Sequence, residues 1–191
     1  NANHSMYRRL YPILITSAAF THHSAAIDLP LVNPGFEVSA IEPIGWTPSQ
    51  HIGETAYEIA IDSKQPAEGK QSFRIARLSD QVYGMISQRI LLPKDSIGGT
   101  LSFSAMLRTK AVGPGGSLLL ANLLDRSGNM LAQIRSIPLS GDNSWRRISV
   151  TMSVPANAYA IEPAFILLDG GTAWIDDVRL SADPVKDPVK N

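Results

Sequence analysis

The sequence predicts an all-β domain, a two-sheet antiparallel sandwich or jelly roll, and three observations carry that prediction. Apolar and polar residues alternate with period two over several separate stretches. Clusters of Gly, Pro, Asn and Asp break the chain between those stretches at short intervals. After Ala26, no run of a dozen residues carries an apolar stripe at helical spacing. Many short strands without intervening helices bury their inner faces by packing two sheets together.

The elements follow in chain order. Asn1 to Ser5 read as a cloning remnant ahead of Met6. Residues 6–26 read as a signal peptide: Arg8 and Arg9 form a basic start, Leu10 to Phe20 is an apolar run, and Ser24-Ala25-Ala26 supplies the small residues of a cleavage site. The expectation is a secreted or periplasmic protein, and an intact Met6 on protein from the native host would defeat it. The run is too short for a stable membrane span, which needs about 20 apolar residues. The domain itself is expected over residues 27–182. Residues 183–191 repeat Asp-Pro-Val-Lys, and their prolines block helix and central strand alike, so a flexible tail is expected.

Within the domain, Tyr57, Ile59 and Ile61 alternate with Glu58, Ala60 and Asp62. Leu101, Phe103, Ala105 and Leu107 alternate with Ser102, Ser104, Met106 and Arg108, and Ile148, Val150, Met152 and Val154 with Ser149, Thr151 and Ser153. Each stretch has one dry and one wet face. Less regular strands are expected over 71–78, 82–91, 117–124, 130–137 and 161–168, the last two covered on both faces. Turns are expected at Glu68-Gly-Lys, Ile97-Gly-Gly, Gly113-Pro-Gly-Gly, Asp125-Arg-Ser-Gly, Ser140-Gly-Asp-Asn and Asp169-Gly-Gly. In the final strand, alternation puts Trp174, Asp176, Val178 and Leu180 on one face and Ile175, Asp177 and Arg179 on the other. Asp176 is therefore expected to be buried. A buried carboxylate has to be paired, hydrogen-bonded or metal-bound.

Composition narrows the function. Lys plus Arg and Asp plus Glu number 17 each, so no net charge draws the chain to nucleic acid or an anionic surface. Cysteine is absent, which removes disulfides, thiolate metal sites and cysteine nucleophiles together.

Leu31-Val-Asn-Pro-Gly-Phe-Glu37, Gly45-Trp46, Gly69-Lys-Gln-Ser72, the Leu101 to Thr109 strand, Trp145 and Trp174-Ile-Asp-Asp-Val178 occur in an order that resembles galactose-binding-like jelly rolls. Over residues 30–182 the chain looks like carbohydrate-binding modules of families 4, 9 and 22, and like sister domains of bacterial esterases and peptidases. The resemblance implies a structural calcium tying the first strand to the last. Glu37 and Asp176 match its acidic positions, with Lys70 and Ser72 in the turn whose backbone oxygens contribute. Calcium suits such a place, since it takes six to eight oxygens. The competing reading is that backbone amides or Lys70 satisfy Asp176 while Glu37 is solvated.

A sugar site combines flat aromatic faces with planar polar groups. Phe36, Trp46, Tyr57, Phe73, Phe103, Trp145, Phe165 and Trp174 all have core or edge places in the family pattern, which leaves Tyr83 and Tyr159. A cluster of Trp46 and His51 is weighed against Trp46 closing the sandwich. Arg108, Asn122, Gln133 and Arg135 are expected to share a sheet face whose donors suit hydroxyls or a uronate carboxylate. The expected partner is a polysaccharide or oligosaccharide; the rival reading is an assembly domain that docks another envelope protein.

Catalysis gets little support. Only His51 lies in the domain, with no serine or acid at a recognisable spacing. Glu37, Glu42, Glu54, Glu58, Asp62 and Glu68 are carboxylates of the kind glycosidases pair, but sequence supplies no separation between them.

Overall fold

The computed structural model describes residues 25–51 and 53–185. The cloning remnant, the leader to residue 24 and the tail from residue 186 lie outside the described residues. The strands are β1 (Ile27–Asp28), β2 (Thr47–Gln50), β3 (Tyr57–Asp62), β4 (Ser72–Arg77), β5 (Gly84–Ser87), β6 (Ile90–Leu91), β7 (Thr100–Leu124), β8 (Met130–Arg135), β9 (Leu139–Ser153), β10 (Ala160–Leu167) and β11 (Thr172–Asp183). Every pairing among them is antiparallel.

The register separates two layers that share β7. Its first half lies between β11 and β9, and β4 and then β3 extend that layer beyond β11, giving sheet one. Its second half lies between β10 and β8, and β5 and then β2 extend the other layer beyond β10, giving sheet two. β1 continues the edge of β11, and β6 that of β10. The two inner faces meet in one core in which Phe73 of β4 lies edge-on to Phe165 of β10, centroids 6.3 Å apart.

The crossing between layers corrects two expected turns. Gly113-Pro-Gly-Gly and Ser140-Gly-Asp-Asn are not turns; each is the place where a continuous strand, β7 or β9, bends from one sheet into the other. The pairing slips around them, from Thr109↔Asn143 to Val112↔Gly141 to Ser117↔Leu139. Extra residues at such slips let a strand turn a corner without losing its neighbour. Glycine is required there for two reasons. Gly116 has φ +77°, and a Cβ on Gly113 would lie 2.4 Å from the Asp169 carboxyl. Asp169 ties the corner by accepting from the Gly115 and Gly170 amides and from Arg77. These amides, together with the Arg77 charge, outweigh partial desolvation and hold its carboxyl below the usual range.

The alternation of Leu101, Phe103, Ala105 and Leu107 into the core is as expected, and β10 is covered on both faces. β8 is not: it is an edge strand whose Met130, Gln133 and Arg135 are exposed. Asn33-Pro-Gly-Phe-Glu37 plugs one end of the sandwich. Phe36 is fully buried against Trp46 and Phe73, with centroids 5.5 and 5.6 Å away. The Trp46 indole donates to the Asn33 carbonyl, so Trp46 closes the sandwich.

Candidate functional site

Strand register builds the outer face of sheet two. Leu120 lies between Ala164 and Arg135, Asn122 between Glu162 and Gln133, and Ile166 between Leu118 and Met85. Leu118, Leu120, Ala164 and Ile166 form an apolar strip, with Tyr83, Met85 and Leu168 packed on it. Beside the strip runs a ladder of planar groups. Arg135 Nε donates to Gln133 Oε1 at 2.8 Å, and Gln133 Nε2 donates to Asn122 Oδ1 at 2.8 Å. Arg89 and Glu162 pair at the next position. His51 meets the Tyr83 ring edge-on, centroids 6.1 Å apart, rather than joining Trp46. Tyr159, the other spare tyrosine, lies under the Arg126 guanidinium.

Four of the five expected ligand residues, Tyr83, Asn122, Gln133 and Arg135, thus border one surface. Arg108 does not. It sits on the first half of β7, on the outer face of sheet one, because β7 bends through the corner between it and Asn122. The expectation that Arg108 and Asn122 share a face fails because they occupy two layers of one strand instead of neighbouring strands.

On sheet one, Arg108 lies over two indoles, its Cζ 4.0 Å from the Trp174 ring centroid and 5.2 Å from that of Trp145. Trp174 Nε1 donates to Asp62 Oδ2 at 2.8 Å, and Trp145 Nε1 to the Gln65 carbonyl at 2.9 Å. Burial acts to raise the Asp62 carboxyl, but the indole N–H, the Lys64 amide, and the Arg108 and Arg74 charges together hold it low. A groove of about 610 Å³ is lined by Asp62, Gln65, Arg108 and Trp174 of this cluster and by Lys64, Lys110, Asp142, Asn143 and Ser144.

Trp174 corrects the expected phase of the last strand. Ala173 and Ile175 face the core, while Trp174 faces out opposite Arg74 and Arg108. The register then slips between Asp176 and Arg179, where Asp177 has φ +43°, and Val178 and Leu180 return to the core. One added residue reverses the side-chain alternation. Alternation without a bulge put Trp174 inside.

Asp176 is 0% exposed, as expected. Its Oδ2 accepts from the Ala67 and Glu68 amides at 2.9 and 3.0 Å, and its Oδ1 from the Asp177 amide at 2.7 Å. Burial still pushes its carboxyl above the usual value, and the nearby Glu37 charge adds to the rise. Glu37 Oε1 accepts from the Lys70 and Gln71 amides at 2.7 and 2.9 Å. A pocket of about 290 Å³ brings Glu37, Glu68, Asp176 and Asp177 together with Pro34, Gly35 and Gly69. Of the expected metal set, Glu37 and Asp176 line this pocket. Lys70 touches it only through an amide donor. Ser72 lies apart at the start of β4, its hydroxyl donating to the Asp62 carbonyl.

Two groups escaped the sequence reading. Gln88 is buried and binds both backbone groups of Val32, accepting at 2.7 Å and donating at 3.0 Å. Gln65 holds Arg108 and Trp145 from a loop position with φ +78°. Nothing in local pattern marks either; the pairing is long-range.

The fold is the antiparallel jelly-roll sandwich that the resemblance implied, and solved carbohydrate-binding modules share it. Among solved structures, the CBM22-1 xylan-binding domain of Paenibacillus barcinonensis Xyn10C matches with a TM-score of 0.52 at 14% identity, covering 85% of this chain and 99% of that one. TmCBM61, solved in complex with beta-1,4-galactotriose, matches with a TM-score of 0.53 at 19% identity over 80% of this chain and 97% of that one. The enzymatically active domain of bacteriophage CBA120 tailspike protein 4 gives a TM-score of 0.65 at 18% identity over 80% of this chain, which spans only 21% of that one. No family model and no curated protein matches the sequence.

Proposed function

We propose that this chain is an exported, non-catalytic module that holds a glycan across the outer face of sheet two. The observation that carries the reading is the Arg135–Gln133–Asn122 ladder on the same face as Tyr83, Met85 and Leu168, the partly exposed side chains that cover the buried Leu118–Leu120–Ala164–Ile166 strip. Met85 and Leu168, packed over that strip, offer apolar contact to the C–H face of a pyranose, and the ladder offers in-plane donors and acceptors to its hydroxyls. Tyr83 at the border supplies the one aromatic edge. The fold supports this reading, since a xylan-binding domain and a galactotriose-bound module share it. Export rests on the leader-like run before Ile27. The non-catalytic part rests on the carboxylates. Glu58 is paired with Arg74 and Asp62 is held by Trp174, so these acids are committed to the scaffold.

A glycan array followed by titration calorimetry tests the site. The wild-type chain is expected to bind a neutral oligosaccharide without turnover. The Asn122→Ala, Arg135→Ala double variant should lose at least about tenfold in affinity, or roughly 1.4 kcal/mol. Unchanged affinity in a folded double variant, or a blank array with capture of one envelope protein, would end the reading.

We also propose that the Glu37–Asp176 pocket takes a structural calcium. Two carboxylates face a small pocket, neither forms an ion pair among the described residues, and the Glu37 charge adds to the cost of ionising Asp176. Glu37 and Asp176 would hold the ion and pin the loop after β1 to β11. Calcium at about 100 times its dissociation constant should add roughly 2.7 kcal/mol of stability. Scanning calorimetry is expected to show a melting point about 5–10 °C lower in EDTA, restored by calcium. An identical transition in both buffers would remove the metal.

A further inference from the structure

We propose that the groove on the outer face of sheet one is a second ligand site, which binds the carboxylate of an acidic sugar with Arg108 as its anchor. It is a different surface from the sheet-two face and does not depend on it. The guanidinium is wedged between Trp174 and Trp145, 4.0 and 5.2 Å from their centroids, so indoles replace water on its flat faces. Desolvation there pushes its pKa down, a sign that the cation lacks full solvation. Its one protein hydrogen bond among the described residues runs from NH1 to Gln65 Oε1 at 2.9 Å; Nε is buried without a partner and out of a ligand's reach, which leaves the terminal nitrogens as the edge for one. A guanidinium covered on its faces and under-satisfied at its edge suits a planar anion.

The surrounding charges favour an anion. Lys64, Arg108 and Lys110 line the groove, and none of them forms a salt bridge among the described residues. The two acids in the groove are already engaged by N–H donors: Asp62 by the Trp174 indole and the Lys64 amide, Asp142 by the Ala111 amide. Three cations against two fixed carboxylates leave one positive charge, which favours an anionic group in the groove. Asn143 and Ser144 add polar groups for ring hydroxyls, and about 610 Å³ lies within the range of small-molecule sites, about 300–1,000 Å³. A hexuronate residue within a glycan meets all of these conditions. Gln65, held in a left-handed conformation, offers a neutral amide oxygen where the stronger acceptor would bind.

Calorimetry on the full chain with trigalacturonate, neutral galactotriose and a sulfated disaccharide tests this. Trigalacturonate is expected to bind with an affinity that falls as salt rises, and Arg108→Gln should weaken it at least tenfold while leaving any neutral-glycan binding on sheet two intact. Because Arg108 also packs two indoles, a second variant avoids the core of the stack: Lys64→Gln, Lys110→Gln should weaken trigalacturonate about threefold. In the wild type, the indole N–H resonances of Trp145 and Trp174 should shift on titration. The proposal is overturned if the wild type ignores trigalacturonate, if a natively melting R108Q binds it unchanged, or if the indole signals stay still. Equal binding of the sulfated sugar would overturn the carboxylate preference.

Discussion

Asp176→Ala is expected to destabilise the domain by about 3–5 kcal/mol, because it leaves three backbone N–H groups facing a cavity, each costing on the order of 1–3 kcal/mol when unpaired. The carboxylate is fully buried and accepts from Ala67, Glu68 and Asp177. Two of those amides belong to the loop between β3 and β4, and the third to the bulge in β11. Asp177 already sits at φ +43° and depends on that bond and on its Arg147 and Arg179 partners to stay there. In a domain of this size the loss corresponds to a melting point lower by on the order of 10 °C. Asp176→Asn should lie between, since its single carbonyl oxygen can still accept from the loop amides while its NH2 confronts the Asp177 N–H. Urea denaturation of all three forms in EDTA isolates this effect from any metal. A loss below about 1 kcal/mol for the alanine variant would show that the loop amides find other partners.

The same loop reaches the sheet-one groove further along. Residues 63–71 hang from Asp176 and Glu37 at one end, and place Gln65 over Arg108 and Trp145 at the other. The buried acid therefore orders the wall of the sheet-one groove without lining it. A structural calcium at Glu37 would act through the same route, by fixing the Lys70 and Gln71 amides.

How far the sequence reveals this depends on the range of each interaction. Alternation in Leu101 to Leu107 is a local signal, and the core face follows it because a half-buried strand has no other stable phase. Asp176 is buried as expected but for a different reason: it shares the outward phase of Trp174 and is covered by the Ala67–Glu68 loop and by Pro34 and Gly35. Gly113-Pro-Gly-Gly and Ser140-Gly-Asp-Asn have the composition of hairpin turns, and only pairing with distant strands decides that they bend instead. That error then misplaced Arg108, since reading β7 as two adjacent strands puts Arg108 and Asn122 side by side. Asn122, Gln133 and Arg135 were legible as outward polar residues because register with an adjacent edge strand is short-range. The Trp145–Arg108–Trp174 stack joins three strands and a bulge, and no spacing rule encodes it.

Phe73→Ala is the second large loss expected, about 3–5 kcal/mol for emptying a fully buried aromatic position. The position matters because Phe73 touches both elements that close the interior. It meets Phe36 of the end plug at 5.6 Å and Phe165 of the opposite sheet at 6.3 Å, almost perpendicular. Phe36 in turn leans on Trp46, so the cavity would open under the whole plug. Phe73→Leu should cost less than half as much, because it retains most of the volume and only the ring geometry is lost. A double-mutant cycle with Phe165→Ala should return a coupling of about 0.5–1.5 kcal/mol, the part that belongs to the aromatic pair rather than to area alone. Additive losses in denaturant unfolding would mean that the two sheets are held by burial in general and that this pair has no share in fixing how they face each other.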